Sequence, residues 1–299
     1  MSEPRIGLTL GPLMFNWAPE RVVDFYARIA DEAPVERVYL GEVVCGKRSP
    51  LLEPSLAAAA ERLERGGKEV VWSGLSIPAN RRDRRAIAGL SEAEEVIEIN
   101  DVSALARRSG PFIAGPLLNV YNEDAACDLT GRGCVRLCPN IELSLDAIGR
   151  IARGCPGLEI ELFAFGRLPL ALSGRCYHAR VHGLHKDACQ FICDRNPDGL
   201  AVQTLDGTDF LAINGVQTLS HGVHVAAAPV DELRQAGVGA LRLSPHTLDM
   251  VAVADLFRAF ADGRTEPAAL LTALAALEPP GALVSGYLDG RAGAAPAAA

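Results

Sequence analysis

Cys176, Cys189 and Cys193 form a C-x12-C-x3-C array in an otherwise polar stretch that also carries His178, His182 and His185. An unligated cysteine behaves as a small hydrophobe and prefers the apolar core. Three of them in a polar loop therefore point to metal ligation. If residues 187–193 are helical, Cys189 and Cys193 lie one turn apart on the same face. A closed site needs a fourth ligand. The histidines of the same loop would complete a zinc site. Cys45, further up the chain, would complete an all-thiolate set, which suits zinc or an iron–sulfur cluster. Lys47, Arg48, Arg175 and Arg180 sit beside these cysteines in sequence. They could bind a carboxylate ligand or offset the negative charge of the thiolates. Cys127, Cys134, Cys138 and Cys155 read as small buried residues. No disulfides are expected, because a cytoplasmic compartment keeps thiols reduced.

The elements that must position these residues alternate between short apolar runs and helical periods. Strands are expected at 6–10, 35–44, 69–75, 96–99, 112–120, 135–137 and 158–165. Helices are expected at 19–33, 55–66, 81–88 and 144–153, with a short one at 102–108. The pattern breaks at residue 168. It passes through short strands at 201–203, 210–213 and 216–219, joined by the turn pairs Asp206-Gly207 and Asn214-Gly215. It then resumes with a helix at 230–236, a strand at 240–243 and a helix at 248–261. Repeated strand–helix units with nearly continuous apolar strands predict a parallel α/β sheet. A doubly wound sheet would carry a glycine-rich phosphate loop after the first strand, and Leu10-Gly11-Pro12 lacks that spacing. The expected fold is thus a TIM-like (β/α)8 barrel. A cysteine-bearing insertion, about 168–225, falls between its seventh and eighth units. The barrel is expected to fill residues 1–291 as one domain, with a disordered Ala/Gly/Pro tail at 292–299. Chemistry in such barrels sits at the C-terminal ends of strands. Glu42, Cys45, Asn80, Asn100, Asn119, Asn122 and Arg167 fall there, and Asn100 and Asn119 are candidate substrate contacts.

Composition narrows the function classes. The 299 residues carry 29 Lys and Arg against 37 Asp and Glu, a formal net charge of −8. That balance argues against a protein that coats nucleic acid or an anionic membrane. No apolar run approaches the roughly 18 residues of a membrane span, and no secretory signal is read at the start. A cytoplasmic location is expected.

The stretch from Glu161 to Cys176, ELFAFGRLPLALSGRC, resembles the signature of the collagenase-like peptidase family, E-x-F-x-H-G-A-L-C-x-x-x-S-G-R-C. Phe165 stands where that signature has His, and Pro169 where it has Cys. Both departures match one branch, the UbiV proteins, as do the segment Tyr39 to Arg48 and the spacing of Cys176, Cys189 and Cys193. The ending Gly286-Tyr287 also resembles that branch, with Leu288 in place of its Trp. The resemblance implies a barrel with one 4Fe–4S cluster on Cys45, Cys176, Cys189 and Cys193. In that set Cys45 supplies the thiolate missing at position 169. It further implies a heterodimer with a UbiU-like paralogue, the lipid-binding accessory protein UbiT alongside, and a role in oxygen-independent hydroxylation of a ubiquinone precursor. Prephenate is implied as hydroxyl donor.

Two other readings compete. One is a zinc-stabilised binding protein without catalysis. The other is a peptidase, for which the chain offers neither HExxH nor G-x-S-x-G.

Overall fold

A computed structural model describes residues 5–297. Eight parallel strands close into a barrel: β1 (Gly7–Leu10), β2 (Arg37–Leu40), β3 (Glu69–Ser73), β4 (Ile97–Ile99), β5 (Phe112–Ala114), β6 (Cys134–Leu137), β7 (Glu159–Leu172) and β11 (Val238–Leu243), with β11 pairing both β7 and β1. The expected (β/α)8 architecture is what the chain forms.

The strands alternate. Leu8 and Leu10 of β1, Ile97 and Ile99 of β4, and Leu241 and Leu243 of β11 are buried in the main apolar core with the surrounding helices. The residues between them, Thr9, Glu98 and Arg242, meet one another's network inside the barrel. The helices present matching stripes. In α1 (Pro19–Glu32) the buried residues are Val22, Tyr26, Ile29 and Ala30, one face at helical spacing, and Pro19 opens the helix where its missing N–H costs nothing. Each fully buried Leu or Ile contributes about 2 kcal/mol. The outer layer is completed by α2 (Ser49–Arg65), α3 (Arg81–Ser91), α4 (Glu123–Gly131), α5 (Leu145–Gly154), α7 (Val230–Gln235), α8 (Met250–Ala261) and α9 (Pro267–Ala275).

The seventh strand carries the insertion. β7 runs on to Leu172, seven residues beyond the 158–165 expected from sequence. From Phe165 outward it pairs antiparallel with β10 (Gln217–Val225), which pairs with β9 (Asp209–Asn214), and that with β8 (Leu200–Gln203). The Asp206-Gly207 and Asn214-Gly215 turns lie where the sequence puts them, with both glycines at positive φ. Between β7 and β8 lie the short helix α6 (Tyr177–Val181) and two 3-10 turns, Lys186–Ala188 and Ile192–Arg195.

Several expectations are corrected. Residues 187–193 are not a continuous helix: Gln190 and Phe191 take positive φ between the two 3-10 turns. β2 and β5 end at Leu40 and Ala114, because Gly41 (φ 142) and Pro116 turn the chain away. Cys127 and Cys155 form a disulfide between α4 and the end of α5, with Cα atoms 5.6 Å apart, where free thiols are expected. The tail expected from residue 292 instead folds back through residue 297. Its Pro296 bridges Val284 of β12 (Leu283–Val284), and Ala297 N–H donates to the Leu283 carbonyl at 3.0 Å. Residues 298 and 299 lie outside the described residues.

Candidate functional site

Cys45, Cys176, Cys189 and Cys193 all line one small cavity, together with Lys47, Arg48, Lys186 and Gly215. Three separate segments deliver them. Cys45 lies in the loop from β2 to α2, held by Glu42, whose Oε1 accepts from the backbone N–H of Val44 at 2.7 Å and of Cys45 at 2.8 Å. Cys176 caps α6, its sulfur accepting from Ala179 N–H at 3.4 Å, and its S–H donates to the Gly215 carbonyl at 3.2 Å. Cys189 follows the first 3-10 turn and Cys193 lies within the second. Among the described residues, no three His, Cys, Asp or Glu side chains form a group that could hold a single metal ion.

Burial raises the thiols of Cys45, Cys176 and Cys193 above the usual cysteine range. The Arg48 guanidinium pulls each back down in part. Arg48 is itself 1 % exposed. Its guanidinium donates to the Met14 carbonyl at 3.2 Å, to Asn214 Oδ1 at 2.8 Å and to Cys193 Sγ at 3.6 Å, and faces Glu42 at 3.9 Å. Asn214 in turn donates to the carbonyls of Cys193 and Asn196. The hairpin turn, the cysteine loop and the β2–α2 loop are thereby fastened to one buried cation. Arg48 is a support of the thiol cavity rather than an exposed contact.

The remaining candidates separate. Lys47 lines the cavity and donates to the Lys186 carbonyl at 2.7 Å. Arg175 and Arg180 lie just outside it, on a broad open cleft that also takes in Cys176, His185 and Lys186. Both guanidiniums are exposed and unpaired among the described residues. His178 turns Nδ1 to the Ile213 carbonyl, stacks on His182 and lines neither the thiol cavity nor the cleft. Asn100 lines a different cavity, at the mouth of the barrel. Asn119 joins neither: it is an exposed residue at φ 60 that accepts from Asn140. Asn80 and Asn122 are N-caps of α3 and α4. Arg167 is spent on the carbonyls of Ser220, His221 and Pro280. Cys134 and Cys138 are buried, their thiols pushed up to about 11 and about 12.

Sequence reading missed the polar interior of the barrel. Arg242 Nη2 lies 2.5 Å from Glu98 and 2.6 Å from Glu161, and its guanidinium stacks on the Tyr39 ring at 4.0 Å. Tyr39 and Thr9 donate to Glu161. Burial opposes the Glu161 charge, yet Arg242 and these donors hold its carboxyl below the usual range. The signal was present as single charges between aliphatic neighbours: Ile97-Glu98-Ile99, Ile160-Glu161-Leu162 and Leu241-Arg242-Leu243. A strand places alternate residues on opposite faces, so each such triplet turns one charge inward.

The family model of peptidase family U32 matches residues 17–270 of this sequence. The chain belongs to peptidase family U32. The U32 match runs from Trp17, ahead of α1, to Leu270 in α9, and so takes in the barrel and the thiol-bearing insertion alike. Among solved structures, a phospho-2-dehydro-3-deoxyheptonate aldolase from Thermotoga maritima is similar at 11 % identity and a TM-score of 0.34, over 93 % of this chain and 71 % of that one. Among the described residues of this U32 member, no helix is long and apolar enough to cross a membrane.

Proposed function

We propose that this chain is the iron–sulfur subunit of an oxygen-independent hydroxylation system in ubiquinone biosynthesis. It would work as a UbiV-type protein in a heterodimer with a UbiU-like paralogue, with UbiT as lipid-binding accessory. The observation that carries the reading is the gathering of Cys45, Cys176, Cys189 and Cys193 around one cavity. Four thiols with no carboxylate among them are a soft donor set, suited to an iron–sulfur cluster. Such a cluster, when bound, supplies electrons or Lewis acidity. The chain's own residues do the rest. Arg48 and Lys47 place positive charge beside the thiolates, and Glu42 and Asn214 fix the loops that carry them. Arg175 and Arg180 leave two free guanidiniums on the adjoining cleft, where an anionic hydroxyl donor such as prephenate could dock.

The family's peptidase name fits these thiols poorly. A cysteine nucleophile is activated by a lowered pKa, whereas burial raises Cys45, Cys176 and Cys193. A deletion strain should make ubiquinone normally in air and lose it without oxygen. Normal anaerobic ubiquinone in that strain would overturn the proposal.

A further inference from the structure

We propose that Arg48 sets how readily the thiol-bound group accepts an electron, its buried guanidinium favouring the reduced state, and that Glu42 opposes it. This rests on reading that group as an iron–sulfur cluster on Cys45, Cys176, Cys189 and Cys193. The step concerned is the addition of one electron from an external low-potential donor, with no bond made or broken.

Three features of Arg48 point this way. Its Nη2 donates to Cys193 Sγ at 3.6 Å, and hydrogen bonds to the ligand sulfurs are among the levers that set a cluster's potential. Such a bond strengthens as the sulfur gains negative charge, so it favours the reduced form. The guanidinium is also 1 % exposed, so water and salt screen its charge little. Finally, its seat is built around it. Nη2 donates to Asn214 Oδ1 at 2.8 Å and Nη1 to the Met14 carbonyl at 3.2 Å, while Gly215 leaves room, since a Cβ there would run into Nη2. The cation is held against the sulfur and cannot swing away.

Glu42 is the counterweight. Its Oε2 lies 3.9 Å from Arg48, and its Oε1 accepts from the Cys45 N–H at 2.8 Å. A buried carboxylate this close to one ligand disfavours an added electron. Lys47 lacks the leverage of Arg48, although it lines the same cavity. Its side chain is 30 % exposed and its ammonium lies 3.6 Å from Asp187, so its charge is answered by that partner and by water.

The test is a potentiometric titration of the anaerobically purified full chain in mildly alkaline buffer, with dithionite as electron donor and iron and sulfide measured on every sample. Arg48→Met should lower the midpoint potential by about 60 mV or more, a tenfold loss in the one-electron equilibrium constant. Arg48→Lys, which returns the charge without the fork, should recover at least half of that shift. Glu42→Gln keeps an oxygen for the Val44 and Cys45 N–H groups but removes the charge, so it should move the potential up. Lys47→Met should move it less than half as far as Arg48→Met. A residue that merely braces the loops would move Arg48→Met and Glu42→Gln in the same direction. That result, or a parental potential in loaded Arg48→Met, would overturn the proposal. If Arg48→Met binds no cluster, Glu42→Gln decides, and a potential at or below the parent's overturns it. A parent chain without iron and sulfide overturns the cluster reading and this proposal together, whereas loaded variants with parental potentials overturn this proposal alone.

Discussion

Arg48 holds a full positive charge where water does not reach, and the loops around it are arranged to keep it there. Replacing it by Met leaves Glu42 buried opposite nothing, which typically costs 3–5 kcal/mol. We expect Arg48→Met to lose about 3 kcal/mol in denaturant unfolding, and Glu42→Gln in the same chain to recover part of that loss. Equal losses from the single and the double variant would show that the pair is not coupled. Lysine is no substitute, because a point charge cannot reach the Met14 carbonyl and Asn214 as a fork does. A second single residue sets a pH dependence. His224 is 4 % exposed against Phe163, and burial pushes its imidazole down to about 4, only partly countered by a backbone contact at Phe163 and by Asp289. The unfolded chain titrates this group near 6.5. The neutral ring's contribution is therefore complete above pH 6.5, shrinks as pH falls, and is gone by about pH 4, a span of about 3 kcal/mol. His224→Gln should flatten the stability profile between those limits. An unchanged profile would mean that His224 is not the group responsible.

At the scale of elements, the loop after β2 is the piece on which the thiol cavity most depends. Gly41 starts it at φ 142, and a Cβ there would run into the Ser73 carbonyl of β3. Neither backbone can give way without opening the barrel. Gly41→Ala should cost ~3 kcal/mol and displace Glu42 and Cys45 together, so that thermal melting and alkylation of the Cys45 thiol both change. A variant melting like the parent would show that the loop tolerates a different path. The same loop shows where sequence reading succeeds and where it stops. The β2 run and the Val-Val-Cys that follows are both apolar, so hydrophobicity alone extends the strand to 44, whereas the turn at Gly41 depends on its neighbour β3. The Asn214-Gly215 turn was legible because its chemistry is local. Residues 187–193 would put Cys189 and Cys193 on one face if helical, but Gln190 and Phe191 take positive φ and the two thiols reach one cavity with distant Cys45 and Arg48 instead. Thiol identity and spacing were readable along the chain. The Glu98–Arg242–Glu161 network was not, since its members come from β4, β7 and β11 and meet only when the barrel closes.

The whole molecule combines a closed barrel with a sidearm built on its overlong seventh strand, and the thiol cavity is lined by residues of both. The sidearm alone brings three thiols, and the barrel lends the fourth. Folding of the barrel and completion of the thiol set are therefore linked: Cys45 is in place only when β2 and β3 are paired and β9–β10 has docked on Arg48. Cys127 and Cys155, on α4 and at the end of α5, are joined to each other and do not line the thiol cavity. The most direct measurement is iron and acid-labile sulfide per chain after anaerobic purification, across single Cys→Ala variants. The account predicts equal iron and sulfide in the parent chain, a clear loss in Cys45→Ala, Cys176→Ala, Cys189→Ala and Cys193→Ala, and parental content in Cys134→Ala and Cys138→Ala. Zinc in place of iron, or full iron retained in Cys45→Ala, would contradict it.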